Sequence, residues 1–123
     1  MAKILVVEDD PQVREMLRDN LTLENYEVAE ACDGNDALEK FKQSHYDLVI
    51  MDIVMPEKDG IEAIYSLNQK YGPVKIIAIS GGNPNLAGEH LLKTASSLGA
   101  AKTFSKPVDM DELIATIAQM LKQ

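Results

Sequence analysis

The sequence predicts an α/β fold: a doubly wound, five-stranded parallel sheet with five helices on both faces. Three observations carry the prediction. Continuous apolar runs of strand length, such as Ile4-Leu5-Val6-Val7 and the stretch from Asp47 to Asp52, read as strands covered on both sides. Segments with apolar residues at helical spacing alternate with them. The connections are short, so the βαβαβαβαβα order requires crossover helices and parallel pairing.

Each element has its own local signal. Ile4 to Val7 forms the first strand, and Asp10-Pro11 then starts a helix with an N-cap carboxylate and a proline at the first helical position. Val13, Met16, Leu17 and Leu21 give that helix one buried face. Glu27 to Ala31 is a short second strand punctuated by Asp33-Gly34, and Ala37, Leu38 and Phe41 mark the second helix. Asp47 to Asp52 is the third strand and ends in a carboxylate. Pro56 and Asp59-Gly60 shape the loop after it, and Ile61, Ile64 and Leu67 line the third helix. Val74 to Ile79 is the fourth strand, stopping at Ser80-Gly81-Gly82, and Leu91, Leu92 and Ala95 indicate a fourth helix. Ala101 to Phe104 is the last strand, closed by Lys106-Pro107. Asp109 and Glu112 have capping-box spacing ahead of Leu113, Ile114, Ile117 and Leu121.

Composition narrows the class. The 123 residues suit one domain spanning 1–123, with no repeat, linker or appended output module. Hydrophobic residues make up 46% and charged residues 26%, the balance of a soluble globular protein. Twelve Lys and Arg against 20 Asp and Glu give a net charge of −8, which argues against direct binding to nucleic acid or anionic lipid. No segment approaches a membrane span or a signal peptide. The single Cys32 cannot form an internal disulfide, which points to the cytoplasm.

Handedness places the C-terminal ends of all parallel strands on one edge of the sheet, where ligands of such folds bind. The residues just past those ends are Glu8-Asp9-Asp10, Asp52, Ser80-Gly81 and Lys106. Carboxylates from two strands meeting there repel each other unless a cation intervenes, and oxygen ligands without His or Cys favour Mg²⁺. A hydroxyl and backbone N–H at Ser80-Gly81 and the ammonium of Lys106 suit phosphate oxygens. Carboxylate, Mg²⁺, lysine and hydroxyl together are what phosphoryl transfer to an aspartate requires.

The stretches Ile4 to Asp10, Asp47 to Pro56 with Asp59-Gly60, Ile79-Ser80, and Lys106-Pro107 resemble the response-regulator receiver domain of two-component signalling over essentially the whole chain. The resemblance implies a flavodoxin-like sheet of order 2-1-3-4-5. It implies phosphorylation of Asp52 by a histidine kinase or histidine phosphotransfer protein, with the domain catalysing only its own phosphorylation and dephosphorylation. It further implies Mg²⁺ ligation by Asp9 and Asp52, by Glu8 largely through water, and by the Val54 backbone carbonyl. Ser80 and Lys106 would bind the phosphoryl group, and Lys106-Pro107 would be a cis peptide.

Three departures from the family pattern stand out. The first pocket acid is Glu8 rather than Asp. The usual switch-aromatic position holds Thr103, while Phe104 should face the other side of its strand, so the familiar coupling of hydroxyl and aromatic does not carry over directly. The stretch from Ser80 to Lys106 is longer than usual and begins Gly81-Gly82-Asn83-Pro84-Asn85.

Other residues read more plainly. Asp10 is a helix cap rather than a metal ligand, Asp59-Gly60 is turn chemistry, and Glu57-Lys58 is a solvated tip. His45 and His90 belong to the surface, Cys32 to the structure, and the scattered methionines to core filling. Gly81-Gly82 lacks the spacing and the Lys-Ser/Thr of a phosphate loop.

Three functions compete. The first is a stand-alone receiver that signals through protein contacts, its output surface inferred by resemblance on the fourth helix, last strand and last helix. The second, a Mg²⁺-dependent phosphohydrolase, wants a nucleophile after the first strand, an acid two residues on, and a cap. The third is a receiver-like interaction module that works without phosphorylation.

Overall fold

A computed structural model describes residues 1–53, 60–80, 93 and 95–122. In chain order the elements are β1 (Lys3–Val7), α1 (Pro11–Leu23), β2 (Glu27–Ala31), α2 (Gly34–Gln43), β3 (Leu48–Asp52), α3 (Gly60–Tyr71) and β4 (Ile76–Ser80). Next comes α4, whose described residues are 93 and 95–98, then β5 (Lys102–Ser105) and α5 (Met110–Leu121). The five strands are all parallel and lie in the order β2-β1-β3-β4-β5.

Strand alternation divides the core into two layers. Ile4, Val6, Ile50, Ile77 and Ile79 face α1 and α5, where Leu17, Leu21, Leu113, Ile117 and Met120 complete one cluster. Leu5, Val7, Val49, Met51 and Ala78 face the other side, against Ala37, Ala63, Ile64, Leu67 and Ala95. The central strands β1, β3 and β4 are therefore buried on both faces, which is why they read as unbroken apolar runs.

Among the described residues, three aspartates act as N-caps, accepting backbone N–H bonds in the first turn: Asp10 from Gln12, Asp33 from Asp36 and Asp109 from Glu112. Asp33-Gly34 thus opens α2, and the punctuation seen in the sequence is a helix start. Asp109→Ala is expected to cost about 1 kcal/mol, read as a lower urea midpoint with an unchanged slope.

Two expectations need correction. Met16 is 42% exposed. Val13, Leu17 and Leu21, spaced by four, define the inward stripe of α1, and Met16 sits a quarter-turn off it. Cys32 is an exposed free thiol at the end of β2, with its backbone N–H bonded to the Asp36 carboxylate. It lies past the last strand residue, where the chain leaves the sheet, so it fills no core position. Leu91 and Leu92, expected in α4, lie outside the described residues, as do His90 and the Gly81–Asn85 stretch.

Candidate functional site

Among the described residues, three polar or charged side chains are buried: Glu8, Asp52 and Ser80. All three lie at the C-terminal ends of neighbouring strands, Glu8 after β1, Asp52 closing β3 and Ser80 closing β4. The sheet carries them there. Glu8 N–H continues the ladder to the Ala31 carbonyl at 3.0 Å, and Lys106 N–H bonds the Ser80 carbonyl at 2.9 Å.

One oxygen from each of Glu8, Asp9 and Asp52 falls within 4.8 Å of the others. The Lys106 ammonium enters the same space from the end of β5, 2.7 Å from Glu8 Oε1 and 3.4 Å from Asp52 Oδ2. The peptide between Lys106 and Pro107 is cis.

Burial pushes the Glu8 carboxyl above the usual range, and the hydrogen-bonded Asp52 beside it adds to the rise. Partial desolvation at the pocket rim raises Asp9 as well, with Glu8 reinforcing it. For Lys106, burial acts downward, but its contacts with Glu8 and Asp52 outweigh that and hold its affinity for the proton above normal. Lys106 is an ammonium at neutral pH. Three carboxylates facing one ammonium leave excess negative charge in a sheltered space.

That donor set fits a hard divalent ion. Opposite oxygens on one Mg²⁺ lie about 4.2 Å apart, close to the spread of these carboxylates, and Mg²⁺ fills its remaining positions with water. A cavity of about 700 Å³, by contrast, sits at the opposite edge of the sheet and is lined by Phe41, Tyr46 and Tyr71. It contains none of these groups.

A sequence profile of the response regulator receiver domain matches residues 4–118. The chain belongs to this family. It is 40% identical to the chemotaxis protein CheY of Treponema pallidum, over 98% of this chain and 83% of the relative. It is 35% identical to the response regulator ArlR of Staphylococcus aureus, of which it spans about half, 54%, while matching 100% of this chain. Among solved structures, the response regulator TrrA of Thermotoga maritima, in complex with Mg²⁺-BeF, superposes with a TM-score of 0.85 at 37% identity, covering 98% of this chain and 99% of its own. The receiver is therefore a response-regulator domain of the two-component class.

Within this receiver, the remaining candidates fall as follows. Val54 lies outside the described residues, as does Asp59. Thr103 is exposed on the edge strand β5, while Phe104 turns to the α1 and α5 layer, as strand alternation requires. Asp10 holds the Gln12 N–H at 2.9 Å, so its carboxylate is engaged as a cap. His45 stands 86% exposed beside Asp47 at 3.4 Å.

Two residues of the site escaped the sequence reading. Gly60 opens α3 directly against β3: a Cβ placed there would overlap the Asp52 carbonyl oxygen and the Ile53 Cα. The Asp59-Gly60 pair looked like turn chemistry, and only the packing shows why a side chain has no room. Arg14 donates from Nη1 to the Glu8 carbonyl at 2.9 Å. A polar residue beside the inward stripe of α1 gives no sequence signal of that contact.

Proposed function

We propose that the domain is a phosphorylation-operated switch in which Asp52 accepts a phosphoryl group from the phosphohistidine of a histidine kinase or phosphotransfer protein. The observation that carries this reading is the convergence of Asp52 with Glu8 and Asp9 on one side and the Lys106 ammonium on the other. An Asp52 oxygen attacks phosphorus in line, forming the O–P bond as the N–P bond to the donor imidazole breaks. Lys106 moves from the carboxylates to the phosphoryl oxygens, and the Ser80 hydroxyl, at the end of the adjacent strand, donates to the same group. Glu8, Asp9, Asp52 and the Val54 carbonyl would hold Mg²⁺, which neutralises charge on the reacting oxygens. The domain turns over nothing but its own acyl phosphate.

Output follows through protein contacts, which we place on α4, β5 and α5. Among the described residues no helix is long and apolar enough to cross a membrane. The exposed Thr103 favours a second reading, in which no aromatic swings inward and the surface works without phosphorylation. Partner binding unaffected by the phosphoryl group would select it.

The test is intact mass after incubation with acetyl phosphate. A single phosphoryl adduct that requires Mg²⁺ is the expected result; no adduct with acetyl phosphate, together with no spectral change on adding beryllofluoride, would overturn the proposal. Mg²⁺ should also stabilise the fold, since it binds only the assembled pocket. At tenfold excess over its Kd the gain is about 1.4 kcal/mol, or roughly 5 °C in Tm against EDTA. Identical melting curves would remove the metal site.

A further inference from the structure

The loop between β1 and α1, residues 8–10, supplies two of the three pocket carboxylates, yet the ladder to β2 ends at its first residue. The bonds within it are local: Asp10 N–H reaches Glu8 Oε2 at 3.2 Å, and the Asp10 carboxylate caps α1. What ties this loop to the neighbouring strand past the ladder is Arg14. Its Nη1 donates to the Glu8 carbonyl at 2.9 Å, and its Nε pairs with Glu30 Oε1 at 3.3 Å. Glu30 is itself fixed, its other oxygen 3.3 Å from Arg18 Nη1 and its carbonyl 3.0 Å from Lys40 Nζ.

We infer that Arg14 is a positioning residue of the pocket, bracing the Glu8 carbonyl against Glu30 so that the Glu8 and Asp9 carboxylates keep the spacing one hard divalent cation spans. The inference rests on the reading of the pocket as a Mg²⁺ site. The pair with Glu30 is partly exposed, at 23% and 32%, and such pairs add little to stability. Its effect is geometric, in the way that outer contacts orient metal ligands.

The sign of one measurement separates a brace from a bystander. A cation beside a carboxylate cluster opposes Mg²⁺, so removing a mere bystander tightens binding. Removing a brace weakens it.

The experiment is calorimetric titration of the whole chain with MgCl₂. Arg14→Ala is expected to weaken binding about tenfold. Arg14→Lys keeps the charge but cannot make both contacts of the planar fork, and should also bind less tightly than wild type. Arg18→Ala, which removes a cation that helps hold Glu30 but does not touch the loop, should weaken binding far less than Arg14→Ala. In the Arg14→Ala background, Glu30→Gln should add nothing further, as expected of a single unit. Unchanged or tighter binding by Arg14→Ala overturns the brace. Wild type that takes up no Mg²⁺ overturns the pocket reading and the brace with it. Melting in EDTA checks that each variant is folded; should Arg14→Ala fail that check, Arg14→Lys decides by the same criterion.

Discussion

Asp52→Asn is expected to leave no phosphoryl adduct on the domain under conditions that label the wild type completely. The amide is isosteric but lacks the anionic oxygen that attacks phosphorus. Neither neighbouring acid is placed to substitute. Glu8 is held by Lys106 at 2.7 Å, and Asp9 sits at the exposed rim of the pocket. Far-UV circular dichroism should be unchanged, because Asp52 ends a strand whose ladder uses only its backbone. Intact mass and peptide mapping check the first point, and circular dichroism the second. An adduct of equal yield on Asp52→Asn, mapped to Asp9, would move the acceptor to the first strand and revive phosphohydrolase-like chemistry.

Gly60→Ala should destabilise the domain markedly through a single added methyl. At an exposed helical position alanine is favoured over glycine by up to about 1 kcal/mol. Here the new Cβ would overlap the Asp52 carbonyl and the Ile53 Cα, both backbone atoms that no rotamer change can move aside. Overpacking of this kind costs roughly 1–3 kcal/mol or more, so the clash outweighs the propensity gain. The net loss should be about 2 kcal/mol, with a larger one for Gly60→Val. Because α3 would have to back away from the end of β3, Mg²⁺ affinity should fall with stability. Urea denaturation with and without Mg²⁺ measures both, and a Gly60→Ala protein as stable as wild type would show that α3 can shift freely.

The architecture was legible because its signals are local and mutually consistent. β1 and β3 are unbroken apolar runs, Asp10-Pro11 and Asp109 announce their helices, and parallel topology alone gathers Glu8, Asp9, Asp52, Ser80 and Lys106 at one edge. Boundaries were less legible. β4 runs to Ser80 and β5 from Lys102 to Ser105 because register with the neighbouring strand, rather than hydropathy, decides where the ladder ends. The residues that escaped act through tertiary contact: Gly60 matters for the absence of an atom against Asp52, and Arg14 for a reach back to a backbone carbonyl. Met16 and Cys32 failed for the opposite reason, since apolar character does not say which side of a boundary a residue falls on.

The clustering of Glu8, Asp9, Asp52 and Lys106 also sets a charge count. Three carboxylates and one ammonium carry two excess negative charges, the amount one Mg²⁺ cancels, so a loaded pocket is electroneutral. The proposed phosphorylation of Asp52 removes one of those charges and introduces the two of a phosphoryl group, leaving a single unit unbalanced at the sheltered end of the sheet. Because Glu8 and Asp52 are buried, salt in the surrounding solution screens that unit poorly. On this reading the message is the smallest imbalance electrostatics allows, delivered where added electrolyte does little to mute it.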